Sequence, residues 1–322
     1  MFAFLKRRPV TLFYGLSLAI ACGVVANGFL VMSRDADAAA AFAWLGGDIG
    51  NAGGYINIVW IWRFAMETPV LFGIFVFAAA PSIAAIATAA VTGRLPRLLA
   101  MLRPWNGPNP GRAAATYGVI LFIYGAGLGA MAWITAHHSG EAALAKALGA
   151  LGGAGVALVP AAVAALFLDE GGTLEELGWR GFLQDVLNER MAPLATAMTV
   201  GVLWWAWHLP REAGTILSGA PMQQFLAGQG VFLLLCLALS VLCAAAWNFV
   251  GGSVWVGVLI HGGTNVWSKA LGLAPYQAIT EPLGRIHPVL AFFDVRTILV
   301  LILAAAVLAL LGPRLGRAPA AL

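Results

Sequence analysis

Charge is what this chain has least of. Asp, Glu, Lys and Arg make up only 10% of its 322 residues, against 61% hydrophobic ones, whereas soluble domains carry about 25% charged and about 45–50% apolar residues. With a mean hydropathy of +0.87, that deficit excludes a soluble globular domain. Cysteine is almost as scarce. Cys22, Cys236 and Cys243 all lie inside apolar runs, so no disulfide framework, zinc knuckle or thiol chemistry is indicated. The ten-residue alternating segments of a transmembrane β-barrel are missing, as are the internal repeats of many transporters and the His-Glu-x-x-His pattern of helical zinc proteases. Basic residues outnumber acidic ones by 18 to 14, but they gather at the ends of apolar runs. That placement reads as membrane topology rather than as a nucleic-acid partner.

What remains is an all-α polytopic membrane protein of about eight transmembrane helices. Apolar runs long enough to span a bilayer cover about 9–32, 69–91, 114–134, 148–168, 193–209, 231–250, 254–271 and 297–311. Residues 33–54 read as an external loop, and Ile56 onward as a short interfacial helix before the second span. The basic stretch Leu95–Trp105 reads as another interfacial helix. Thr173, with Glu176 three residues on, has the form of a capping box. Gly251-Gly252-Ser253 leaves room only for a tight hairpin. More Lys and Arg fall on one side of this topology, which places both termini in the cytoplasm. The first run exceeds the 7–15 residues of a signal-peptide core, so it reads as a retained helix. The whole is one integral membrane domain: N-terminal helices of low motif content (1–147), a core carrying the polar motifs (148–272), and a loop with the last helix (273–322).

Three polar stretches interrupt this hydrocarbon-like sequence. A charge at bilayer depth costs roughly 2.5–3.5 kcal/mol, so Glu175, Glu176 and Arg180 together require partners or a site. Glu176 and Arg180 are four apart and can pair on one helix face; Glu175 is rotated away, left to act as a base. Trp204 and His208 share a face at the end of the fifth span. His261 and Asn265, again four apart, project together and could both donate to one oxyanion. Each stretch has a second reading: an ion-pair patch, an aromatic belt at the interface, or interhelical hydrogen bonding. The pair His137-His138 points about 100° apart on a helix and reads as solvated.

Taken in order, Glu-Glu-Leu-Gly-Trp-Arg-Gly at 175–181, Trp-x-x-x-His at 204–208 and His-x-x-x-Asn at 261–265 resemble the CPBP family of intramembrane proteases. That family includes the type II CAAX prenyl proteases and bacterial Abi-type proteins, and the motif wording is similar to the bacterial branch. The resemblance implies an endopeptidase in which Glu175 activates water shared with His208. It also implies that Glu176 and Arg180 position Glu175, that Trp204 packs the site, and that His261 and Asn265 stabilise the oxyanion. Family members are described with and without metal. The implied cofactor is accordingly none, or a divalent zinc held by Glu175, His208 and His261. The implied partners are a peptide or membrane-protein substrate and the lipid bilayer, and the implied location is a bacterial inner membrane. Two features depart from the family pattern: Trp204 stands where Phe is usual, and Asp169-Glu170-Gly171-Gly172 separates the glutamates from the preceding span. The rival readings are a non-enzymatic membrane immunity or scaffold protein and a proton-coupled transporter.

Overall fold

The computed structural model describes residues 7–37, 39–40, 58, 62, 65–66, 72–142, 145, 166–217, 219–270 and 283–317. Among these every regular element is helical, which lets each segment satisfy its own backbone groups in lipid. The helices are α1 (Pro9–Met32), α2 (Phe72–Thr92), α3 (Leu95–Ala100), α4 (Pro110–Ser139), α5 (Glu170–Glu176), α6 (Gln184–Asn188), α7 (Pro193–His208), α8 (Ala213–Leu217), α9 (Met222–Val250), α10 (Val254–Ala270) and α11 (Val295–Leu311). A π-helical turn, Leu177–Leu183, joins α5 to α6. Among the described residues five helices are long and apolar enough to cross a membrane: α1, α2, Pro110–Ala130 of α4, α9, and α11 with its following turn. The chain is an all-α polytopic membrane protein. The loop at 41–54, most of the segment before Pro69, most of the fourth span and the loop at 271–282 lie outside the described residues.

Several boundaries differ from the sequence reading, each for a local reason. The helix at Leu95 stops at Ala100 instead of reaching Trp105. The loop beyond it is tied to the hairpin before α10: Val254 N–H donates to the Met101 carbonyl at 3.0 Å, and Asn106 N–H to the Val250 carbonyl at 2.9 Å. Helix α9 begins at Met222, nine residues before the expected start, and on the added stretch half-buried Gln229 accepts from Trp205 Nε1 at 3.1 Å. The hairpin itself is as tight as expected, with Gly251 and Gly252 at φ +74° and +96°. Only glycine adopts such angles without strain.

The core is built by close backbone approach. α1 packs on α2, α2 on α5 and the π-turn, α5 on α10, and α7 on α9. A Cβ on Gly178 would lie 2.5 Å from Pro81 Cβ and 2.6 Å from the Pro81 carbonyl carbon, so the π-turn can rest on α2 only with glycine there. Gly178→Ala is therefore expected to destabilise the protein by about 1–3 kcal/mol through overpacking. The unfolding midpoint in detergent checks this, and an unchanged midpoint would show that these helices separate freely. At one end of the bundle Arg94 makes two hydrogen bonds to Glu189 at 2.7 and 2.8 Å, which hold the Glu189 carboxyl below the usual carboxylate range. Arg317 and Arg112 bond the Asn188 and Gly316 carbonyls, so these basic residues gather at that same end.

Candidate active site

The three polar motifs meet in the interior between α5, the π-turn, α7, α9 and α10. Helix α5 starts earlier than the capping-box pattern suggests: Asp169, not Thr173, is its N-cap, and accepts from Gly172 N–H at 2.7 Å. Thr173 lies inside the helix and its hydroxyl donates to the Phe167 carbonyl. The earlier start brings Gly171 and Gly172 into the first turn, where the helix presses on α10. A Cβ on Gly172 would lie 2.8 Å from Gly262 N and 2.9 Å from the Val258 carbonyl oxygen. A Cβ on Gly262 would likewise lie 2.8 Å from the Leu166 carbonyl oxygen, the close approach its small size predicts.

Glu175, 5% exposed, is not left free. Trp204 Nε1 donates to its Oε2 at 2.7 Å and Trp179 Nε1 to the same oxygen at 3.1 Å. Two indoles from different helices thus hold one carboxylate oxygen and leave the orientation of the other fixed. A phenylalanine at 204 could not make this bond, so the departure from the usual family residue supplies a donor as well as bulk.

Glu176 and Arg180 are both fully buried and pair directly, Arg180 Nε donating to Oε2 at 2.9 Å. Arg180 also donates to Ser240 Oγ at 3.2 Å, and its guanidinium lies 5.1 Å from the Trp204 ring. The second oxygen of Glu176 faces His261 Nδ1 at 3.0 Å. Glu176 therefore orients His261 rather than Glu175. Gly257, one turn before His261, makes room for this carboxylate.

His208 is buried against Trp207 and Phe232, with ring centroids at 4.8 and 5.0 Å. Its Nδ1 lies 2.8 Å from the Trp204 carbonyl. A carbonyl only accepts, so Nδ1 carries the proton and, in the neutral ring, Nε2 keeps the lone pair. Trp204 thereby stands between Glu175 and His208, bonding the first through its indole and the second through its backbone. It also meets the His261 ring edge-on at 4.8 Å. Asn265 Nδ2 donates to Asp169 Oδ1 at 2.9 Å. Among the described residues no group of three or more His, Cys, Asp or Glu is gathered as a metal would require, and the carboxylates of Glu175 and Glu176 are turned to indole, guanidinium and imidazole donors. This arrangement does not fit the zinc set of Glu175, His208 and His261. His137 is exposed and stacks on Trp133 at 4.6 Å.

Sequence reasoning missed Trp179, Ser240, Asp169 and the glycines 171, 172 and 257. Only Trp179 carried a local signal, being four residues after Glu175.

Residues 151–267 match the family model for type II CAAX prenyl endopeptidases, described as Rce1-like. No curated protein matches the chain. The matched segment contains all three polar motifs, and across it the chain is similar to the CAAX-type intramembrane proteases of the CPBP family.

Proposed function

We propose that the protein is an intramembrane endopeptidase whose water is activated by Glu175 and His208. The observation that carries this reading is the gathering of Glu175, His208, His261 and Asn265 around Trp204 and Gly171, inside a largely apolar bundle. In the proposed step a water lies between the Glu175 carboxylate and His208 Nε2. Glu175 takes a proton as the water oxygen bonds to the scissile carbonyl carbon. His261 Nε2 and Asn265 Nδ2 donate to the oxygen that becomes negative; Glu176, accepting from Nδ1, balances the charge of the protonated ring. The C–N bond then breaks as the proton passes from Glu175 to the leaving nitrogen, giving one new carboxylate and one new amine. No step is routed through a metal.

The substrate class is a peptide or membrane protein entering from the bilayer. The clustering of Arg94, Arg112 and Arg317 at one end supports an inner-membrane orientation with that end, and both termini, in the cytoplasm. The test uses proteoliposomes in heavy-oxygen water with membrane-peptide substrates. Cleavage with one heavy oxygen in each new carboxyl group is expected, and His208→Ala and His261→Ala should lose turnover without losing the fold. A Glu175-dependent proton flux without proteolysis would overturn the assignment in favour of transport.

Trp204→Phe isolates the indole bond, keeping the ring and removing its N–H. A hydrogen bond to a charged group contributes about 1.5–3 kcal/mol, so kcat should fall by about 10- to 100-fold. A kcat equal to wild type would show that Trp179 alone suffices.

A further inference from the structure

We infer that Asp169 is a positioning residue for this reaction: it orients the Asn265 amide toward the catalytic centre while capping the helix that carries Glu175. The inference rests on the hydrolase reading above. Asp169 is fully buried, and its single Oδ1 accepts both from Gly172 N–H at 2.7 Å and from Asn265 Nδ2 at 2.9 Å. A carboxylate can only accept, so the Asn265 atom that faces it must be the nitrogen. The flipped amide would set two oxygens against each other and turn an acceptor toward the developing oxyanion. With one N–H directed to Asp169, the direction of the other is set by the planar amide.

That direction matters because the two proposed donors meet over one residue. A Cβ on Gly171 would lie 2.9 Å from His261 Nε2 and 3.1 Å from Asn265 Nδ2. Gly171 is in the turn that Asp169 caps, and Glu175 lies one turn further along the same helix. A single carboxylate oxygen thus sets the register between the helix bearing the base and the helix bearing the oxyanion donors. Capping alone explains the bond to Gly172, since Asp is among the favoured N-caps. Capping does not require the bond to Asn265, and on that difference the test turns.

The full-length protein in nanodiscs would be assayed as wild type, Asp169→Asn, Asp169→Ser, Asn265→Ala and the double variant Asp169→Ser/Asn265→Ala, for kcat, KM and unfolding midpoint. Asn keeps an acceptor oxygen at the same reach and also caps; Ser caps, but its hydroxyl stops one atom short of Asn265. Asp169→Asn should stay within a few-fold of wild type. Asp169→Ser should keep its unfolding midpoint and KM but lose about 10- to 100-fold in kcat, the cost of a displaced catalytic group. The double variant should be no worse than Asn265→Ala. Wild-type kcat in Asp169→Ser would reduce Asp169 to a helix cap, and loss in Asp169→Asn equal to that in Asp169→Ser would replace the acceptor role with one of charge. Either overturns the inference. If Ser lowers the midpoint, Asp169→Thr repeats the comparison with a second short cap. Wild type and Glu175→Gln in the same assay separate the two readings: full cleavage by Glu175→Gln would remove Glu175 as the base, and no cleavage by the wild type would remove the hydrolase reading itself, whatever Asp169 does.

Discussion

Glu175→Gln is expected to abolish peptide hydrolysis while leaving the protein folded. The amide oxygen of Gln occupies the place of Oε2 and still accepts from Trp179 and Trp204 Nε1, so the bonds at 3.1 and 2.7 Å survive the change. What is lost is the capacity to take a proton from water. General-base catalysis contributes about 10²–10⁴-fold, and Glu175→Gln should lose the upper part of that range, because the neighbouring carboxylate is already engaged. Glu176 cannot substitute, because Arg180 and His261 occupy its two oxygens. Turnover of a membrane-peptide substrate, with the unfolding midpoint measured on the same sample, checks both halves. Cleavage at the wild-type rate would end the assignment of Glu175 as base. Lost cleavage together with a lowered midpoint would mean that the carboxylate holds the indoles in place more than it serves the reaction.

The membrane class was legible because it follows from composition, and the Glu176–Arg180 pair because four-residue spacing depends only on helical period. His261 and Asn265 likewise share a face for that reason. What each of them faces was not legible. His261 turns to Glu176 and Asn265 to Asp169 because α5 meets α10 in one register, and that register is set by Gly172, Gly257 and Gly262; small size at 262 indicates a close approach, but what each glycine meets is visible only when the helices touch. The capping choice shows the same dependence. Asp169 and Thr173 are both good cap types, and the bond from Asn265, almost a hundred residues away, favours Asp169. Glu175 appeared free on spacing alone because an indole N–H from another helix leaves no trace in local pattern.

Trp204 illustrates how a water-poor interior changes the work of an aromatic residue. In a membrane-facing position its N–H would meet headgroups or water. Here, at 2% exposure, that N–H requires an internal acceptor, and the Glu175 carboxylate requires internal donors. Each need answers the other, so the residue that departs from the usual family pattern is also the one that touches Glu175, His208, His261 and Arg180.

Arg180→Met should have the largest effect on stability of any single change in the site. Arg180 and Glu176 are both 0% exposed, so no water screens the carboxylate once the guanidinium is gone. Removing one partner of a buried pair costs about 3–5 kcal/mol, mostly because the other charge is left behind. His261 Nδ1 offsets part of this through its own bond to Glu176 at 3.0 Å, yet Ser240 also loses its partner. Met matches the length of the Arg stem and keeps the packing on Trp204, so the loss is electrostatic rather than a cavity. Arg180→Lys should fall between the two, because an ammonium keeps the charge without the planar fork that reaches Glu176 and Ser240 together. The double variant Glu176→Gln/Arg180→Met removes both charges and should recover much of the stability, since an apolar replacement of a whole buried pair is often neutral or stabilising. Reversible unfolding of these proteins and of Glu176→Gln alone in mixed micelles gives the coupling energy directly. If the double variant were as unstable as Arg180→Met alone, the pair would owe its burial to packing and not to mutual charge compensation. Recovery of stability without recovery of turnover would instead show that Glu176 is kept charged for His261, because Gln at 176 cannot balance a protonated imidazole.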